Sequence, residues 1–317
     1  MRNTIRRAVI MAGLTVNLIM GSAGVGAAQT QDENRDVWSP FITPMVLNTL
    51  IERRPDVQVI DIRKEKYIGD GTIPGAVWMP FSDWRGPSER PGQPPTEAEL
   101  EAFLGDNGLQ LDQPIVIHNH SDHTIQSGRA AIVYWILKSA GAEEIAILNG
   151  GFKAWDAEAL PLTPEHTRPQ PGIVDVTYRY DWWAGPMEIF GVTTRQSNGA
   201  ILDARLDGQV RRAAETGRPL TSMPMAQYIP ASFFSNYLSV ERLSERSQDA
   251  FRADLRDRGI DFDTGMLISI CQTGELSALS WFYASEIVGL SNVRYYPDAL
   301  QGWQSDGGRM YGMKTSL

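Results

Sequence analysis

The chain has 317 residues, enough for two domains of ordinary size, and a composition of 42% hydrophobic and 21% charged residues that suits a folded protein and excludes a disordered one. Its net charge of −9 and isoelectric point near 5.0 argue against nucleic acid as a main partner, because phosphate binding needs a basic footprint. A single cysteine rules out an internal disulfide.

The first residues read as a separate unit. Arg2, Arg6 and Arg7 make a basic start, Ala8 to Met20 is largely apolar, and Val25-Gly26-Ala27-Ala28 supplies small residues before Gln29. This is the pattern of a secretory signal peptide over residues 1–28, too short for a comfortable membrane span. It predicts export, to a periplasm or beyond, with no membrane attachment after cleavage. The alternative is an uncleaved anchor.

The folded part is expected to begin near Val37. Val57 to Arg63 reads as a strand ending Asp61-Ile-Arg63, and Gly71-Thr-Ile-Pro-Gly-Ala-Val-Trp-Met-Pro80 as a turn leading into a second short strand. Arg85 to Pro95 is rich in Pro and Gly and predicts a surface loop. Thr96 to Leu104 predicts a helix, with Thr96 as N-cap and Glu99 at the capping-box position. Pro114 to His118 is a strand, Gly128 to Ala140 a helix and Ile145 to Leu148 a strand, followed by Asn149-Gly-Gly-Phe-Lys-Ala-Trp155.

The same events then recur. Ala200 to Arg205 repeats the Asp-x-Arg strand ending, and Tyr228-Ile-Pro230-Ala-Ser reads as the repeat of the Ile-Pro turn. Leu243 to Gly259 is a helix, Met266 to Ile270 a strand buried on both faces, and Val293 to Tyr296 the last strand before Ala299-Leu-Gln-Gly-Trp303. Strands alternating with helices predict parallel sheets covered on both faces, and two copies predict two similar domains. The expected division is 37–165, a linker over 166–190 whose Trp182-Trp183 pack on a domain, and 191–317.

Cys271 stands between the strand Met266 to Ile270 and a helix that starts at about Leu276. A solitary cysteine is in general a small buried apolar residue. This one opens a strand-to-helix loop at the carboxyl end of a parallel strand, where open α/β sheets hold ligands. A turn through Gly274 into a helix aims successive N–H groups inward. A cysteine at the lip of such a nest is expected to ionise more easily.

Taken together and in order, Asp61-x-Arg63, Ile73-Pro-Gly-Ala and Gly150-Gly-Phe-Lys-Ala-Trp155, then Asp203-x-Arg205, Ile229-Pro-Ala and Cys271-x-x-Gly274-x-x-Ser277, resemble the rhodanese superfamily in its two-domain sulfurtransferase form. The resemblance covers nearly the whole mature chain. It implies an α/β fold of two tandem rhodanese-like domains, the first a degenerate copy with Asn119 in the place of Cys271. It implies a Cys271 nucleophile that accepts sulfur from a small anionic donor, thiosulfate or 3-mercaptopyruvate, as a persulfide. A thiol or cyanide acceptor then takes that sulfur, and no metal or organic cofactor takes part. The substrate loop would be Gln272, Thr273, Gly274, Glu275 and Leu276.

The thiosulfate branch of this family has basic residues directly after the cysteine, where this chain has Gln272 and Thr273 and then acidic Glu275. A negative charge about 4 Å from a bound anion costs roughly 1 to 4 kcal/mol. The mercaptopyruvate branch has Gly then Ser or Thr there, and Thr273 fits. That branch holds its substrate carboxylate with arginines of the second domain. Arg218 falls at one such position, and Gln209 at the other. Thr72 stands where a histidine is common. Arg63 and Arg205 read as local partners of carboxylates, and Trp155 and Trp303 as packing residues.

Three other readings compete. A phosphatase of the same fold needs an arginine six positions after the cysteine, where this chain has Ser277. A non-catalytic sulfur-carrier or partner-binding module would share the fold. His118, His120 and His123 have metal-ligand chemistry.

Overall fold

The computed structural model describes residues 38–86, 92–217, 220–236 and 245–312. The expected signal segment and Arg218 lie outside these residues. Residues from Trp38 onward form one compact unit.

The first half builds a five-stranded sheet. Its strands are β1 (Phe41–Ile42), β2 (Gln58–Asp61), β3 (Val77–Trp78), β4 (Ile115–His118) and β5 (Ile145–Leu148), in the order β1-β5-β4-β2-β3. Every pairing is parallel. All four residues of β4 and all four of β5 are buried, which is why these strands read as unbroken apolar runs rather than alternating ones. Helices α1 (Pro44–Arg53), α2 (Glu97–Asp106), α3 (Thr124–Ser139) and α4 (Gly151–Ala157) connect and cover them. The α2 capping box forms as the sequence predicts: Thr96 Oγ1 accepts from the Glu99 amide, and Glu99 accepts from the Thr96 amide at 2.9 Å. Such a cap stabilises by about 1 kcal/mol. Helix α3 starts four residues before the expected Gly128, since Thr124 to Ser127 have few apolar residues to mark the start.

The second half repeats the plan. After α5 (Pro186–Thr193) come β6 (Gly199–Asp203), α6 (Asp207–Glu215), β7 (Thr221–Ser222), β8 (Ala226–Tyr228) and α7 (Ala231–Asn236). Then follow α8 (Glu245–Asp257), β9 (Met266–Ile270), α9 (Glu275–Phe282), β10 (Val293–Tyr295), α10 (Ala299–Ser305) and β11 (Tyr311–Gly312). The sheet order β10-β9-β6-β8 is again wholly parallel. At its edge Trp183 bridges Tyr295 in parallel fashion, in the place that β1 takes beside β5. The second tryptophan of the pair thus joins the second sheet, with its ring 4.4 Å from that of Trp135.

Strand register corrects one sequence alignment. Asp61 pairs with Trp78, and Asp203 pairs with Tyr228. Ile229-Pro230 therefore corresponds to Met79-Pro80, and the counterpart of Thr72-Ile-Pro-Gly-Ala76 is Ser222-Met-Pro-Met-Ala226. The hydrogen bonds agree: Ala76 donates to the Ile73 carbonyl and Ala226 to that of Met223.

The halves meet where α3 packs on α9, and one apolar core runs through both from Ile117 and Trp135 to Trp281 and Leu279. Gly128 makes this approach possible, because a β-carbon there would run into the backbone of Glu275. Lys138 and Tyr134 of α3 both bind Glu286, at 2.8 and 2.9 Å, which ties the rim of the junction. No helix among the described residues is long and apolar enough to cross a membrane.

Candidate active site

Cys271 is the first residue after β9, at the carboxyl end of a parallel strand and before the N-terminus of α9. Gly274 turns the loop with φ +102°, a conformation that side-chain-bearing residues avoid. The Gly274 amide then donates to Cys271 Sγ at 3.2 Å. Ser277 Oγ lies 3.3 Å from Sγ and 3.0 Å from the Gly274 carbonyl, so its one proton is shared between them. The amides of Ser277 and Thr273 also favour the ionised sulfur. The inward-facing nest expected from the sequence is present.

The sulfur does not sit at an open lip. Cys271 is 1% exposed and packs with Ala204, Ala231 and Leu276, with Ile125 of the first half set against them. Burial pushes the thiol above its ordinary value, and the Ser277 hydroxyl and the three amides pull it down without cancelling that effect. The expectation of easier ionisation is therefore corrected for the sulfur-free protein: desolvation outweighs the dipoles.

The rest of the expected loop divides by side chain. Gln272 is exposed, and its carbonyl accepts from the Gln301 amide. Thr273 Oγ1 donates to Glu275 at 2.6 Å. Glu275 is 7% exposed, and its carboxylate lies 3.7 Å from the Arg85 guanidinium, which also donates to the Thr273 carbonyl at 3.4 Å. Arg85 belongs to the loop after β3, so the first half supplies a cation to the cysteine loop of the second. Gln93 follows, donating to Asp298 at 2.7 Å. Leu276 turns its side chain into the apolar cluster around the sulfur. The side-chain hydrogen bond to the sulfur comes from Ser277, beside the backbone one from Gly274. The sequence places Ser277 in the Cys-x-x-Gly-x-x-Ser spacing and uses it to exclude a phosphatase, but gives it no contact with the sulfur. Gln209 caps its own helix, accepting from the Leu206 amide at 3.0 Å.

The corresponding place in the first half holds Asn119, at 6% exposure, whose amide donates to the Gln126 carbonyl at 2.8 Å. Beneath it lies a buried ionic cluster. Arg63 grips Asp61 with Nε and Nη2 at 2.9 and 2.7 Å, and reaches the Gly71 and Tyr67 carbonyls. Thr72 and His166 Nε2 also contact the same carboxylate, the latter at 2.8 Å. His118 Nε2 is 3.8 Å away. Burial pushes His118 down to about 4, so it is neutral at pH 7. Burial alone would raise Asp61, but nearby positive charge and the bonds from His166 and Arg63 hold it well below the usual carboxylate range. Removing one partner from such a buried pair costs roughly 3 to 5 kcal/mol. Arg205 grips Asp203 the same way, with Ser222 in place of Thr72. Both arginines are thus the local partners the sequence predicts.

The three histidines do not converge. His118 faces the Asp61 cluster and His120 stacks on Tyr67 with centroids 4.0 Å apart. Among the described residues no group of three or more His, Cys, Asp or Glu side chains could hold a metal ion. Trp155 is fully buried, and Trp303 is partly buried and donates to the Arg309 carbonyl, so both serve packing.

Comparison with known proteins matches residues 43–158 to the rhodanese-like domain. A protein of Mycobacterium tuberculosis named putative thiosulfate sulfurtransferase SseB is 27% identical over 294 residues, spanning 87% of this chain and 98% of that one. The sulfur carrier protein TtuD of Thermus thermophilus is 25% identical, over 78% of this chain and 88% of its own. Among solved structures, the 3-mercaptopyruvate sulfurtransferase SseA of Escherichia coli superposes with a TM-score of 0.66 at 20% identity, covering 82% of this chain and 98% of that one.

Proposed function

We propose that this chain, whose residues 43–158 match the rhodanese-like domain, is a two-domain rhodanese-type sulfurtransferase that moves a sulfur atom from a small anionic donor to a thiol or cyanide through a persulfide on Cys271. The observation that carries this is the sulfur of Cys271 held 3.2 Å from the Gly274 amide and 3.3 Å from the Ser277 hydroxyl. Those donors stabilise the charge of a thiolate and of the sulfur it accepts.

With thiosulfate, the thiolate attacks the outer sulfur, the S–S bond breaks, and sulfite leaves with both electrons. With 3-mercaptopyruvate, the carbon–sulfur bond breaks and the thiol proton goes to carbon, which releases pyruvate. Both donors are anions, and Arg85 is a cation adjoining the loop. Its position beside Glu275 offsets the acidic residue that weighs against anion binding. Residues Gln272, Thr273, Gly274, Glu275 and Leu276 are the proposed substrate loop, with Arg218 as the proposed carboxylate partner. The proposed setting is a periplasm or the exterior, after removal of residues 1–28.

The buried thiol favours one competing reading, a sulfur carrier or partner-binding module whose cysteine is uncovered only by a partner. Incubation with thiosulfate or 3-mercaptopyruvate, followed by intact-mass measurement and then by cyanide or a small thiol, separates them. The enzyme reading expects one added sulfur on Cys271 and repeated turnover. Loading without turnover would favour the carrier, and no loading by either donor would favour the binding module.

A further inference from the structure

Tyr295 ends β10 beneath the cysteine loop. None of its surface is exposed, and its ring stands edge-on to Trp135 at 4.9 Å between centroids. Among the described residues its hydroxyl has no hydrogen-bond partner. A β-carbon placed on Gly274 would stand 2.5 Å from that oxygen, so the phenol reaches the turn whose amide points at Cys271 Sγ.

The two sheets show that this hydroxyl is not demanded by the fold. Tyr295 pairs in register with Ser269, whose own hydroxyl is likewise buried and without a partner. In the first half the same two places are taken by Ile147 and Ile117. The hydroxyls therefore occur in the half that carries the sulfur and not in the half that lacks it. A buried hydroxyl with no partner is destabilising, and phenylalanine would fill the same space without that loss. Something other than the stability of the sulfur-free fold must account for a tyrosine here.

We propose that the Tyr295 O–H donates a hydrogen bond to the sulfur carried by Cys271, and so holds the outer atom of the persulfide against the floor of the loop. This rests on the persulfide reading above. No bond to the phenol forms or breaks in the transfer. Burial and the nearby Cys271 and Glu275 charges keep the phenol protonated far beyond neutral pH, so it acts as a donor and not as a proton source. The Gly274 amide approaches the sulfur from the loop and the phenol from the sheet, which together leave the outer sulfur charged but oriented.

The test uses the full-length protein and its Tyr295→Phe variant, each loaded with thiosulfate or 3-mercaptopyruvate. The readouts are the lifetime of the added sulfur, followed by intact mass, and the pH profile of its alkylation by iodoacetamide. The expected result is a lifetime about five- to tenfold shorter in the variant, a pH profile displaced upward, and an unfolding temperature equal to or above that of the parent. A tyrosine that served packing alone would give the opposite combination, a lower unfolding temperature with an unchanged pH profile, and would overturn the assignment. Should the phenylalanine variant not fold, 3-fluorotyrosine at position 295 supplies a stronger donor in nearly the same shape. It is expected to lengthen the lifetime, and no change there would also overturn the assignment. A parent protein that takes up no sulfur from either donor would instead sink the persulfide reading and this inference with it. Sulfur uptake that is indifferent to position 295 would sink the inference alone.

Discussion

The loop after β4 and the loop after β9 hang from the same sheet position by the same backbone bonds. Phe152 donates its amide to the Asn119 carbonyl at 2.8 Å, and Leu300 donates to that of Cys271 at 2.9 Å. Below one loop lies His118 over an ionic cluster, and below the other lies Ile270 in an apolar layer. One half has kept the frame and used its buried polar groups to lock the strands. The other keeps the Asp203–Arg205 pair but sets Ile270 beside it in place of a histidine, and turns the polar donors of its loop toward a sulfur atom. The frame is thus common property of the fold, while the chemistry rests on a few side chains placed on it.

The strongest way to break the comparison is to take the sulfur away. Cys271→Ser is expected to lower sulfur transfer by roughly a thousandfold or more, since it deletes the nucleophile. Unfolding stability should change by less than about 1 kcal/mol, because serine fits the site and can keep the Ser277 contact. Adding Asn119→Cys to that variant should not restore transfer. The first loop has Asp122 where the second has Gly274, and its carboxylate opposes a second negative charge. Measurable turnover in the double variant would show the two frames to be chemically equivalent after all.

A second contrast is visible in acid. The folded-state value of His118, about 4, lies below the free-imidazole value of 6.5, so the unfolded chain takes up the proton first as pH falls. The stability this contributes is complete above pH 6.5 and is lost as pH drops toward 4. A shift of that size corresponds to ~3 kcal/mol at most. Denaturant melts between pH 7 and 4 should show this loss, with hydrogen exchange in β4 and β2 speeding up before that in β9 and β6. His118→Ile, which copies the second half, should flatten the profile. An unchanged slope in that variant would remove His118 from the account.

Ser277→Ala sharpens the comparison at the sulfur itself. It removes the side-chain donor and leaves the Gly274 amide in place, so persulfide formation should slow by about tenfold. The alkylation pH profile of Cys271 should move upward with it, because the Ser277 hydroxyl is the foremost group pulling the thiol down against burial. A slower rate with no displacement of that profile would mean that Ser277 shapes the loop without touching the charge.

Much of this was legible in the sequence because it is local. The Asp-x-Arg endings, the capping box at Thr96 and Glu99 and the strand before Cys271 each declare themselves within a few residues. What the sequence could not reveal depends on contacts made at long range. His166 completes the Asp61 cluster from 105 positions away, and Arg85 reaches the cysteine loop across 188. The depth of the sulfur is of the same kind, because Ile125 and the α3–α9 junction create it, and no residue near Cys271 announces them. The misplaced Ile-Pro repeat has a different origin. Each half carries two proline-bearing turns close together, Ile73-Pro74 and Met79-Pro80 in one, Met223-Pro224 and Ile229-Pro230 in the other. Residue identity matched the wrong pair, and hydrogen-bond register chose the right one.

That register also exposes the smallest testable difference between the halves. Gly75 and Met225 hold the same place in the two turns, with φ of +81° and +59°. Glycine takes such a conformation freely, whereas a residue with a β-carbon is strained there by roughly 1 to 2 kcal/mol. Part of the gain from glycine is offset by the greater freedom it gives the unfolded chain, about 0.5 to 1 kcal/mol. Met225 is 49% exposed, so little packing would be lost. Met225→Gly should therefore stabilise the second half by about 0.5 kcal/mol, and the converse Gly75→Met should destabilise the first by rather more. Equal and opposite shifts would mean that the two turns are interchangeable. A loss of stability in Met225→Gly would mean that the methionine makes contacts whose worth exceeds the strain of its backbone.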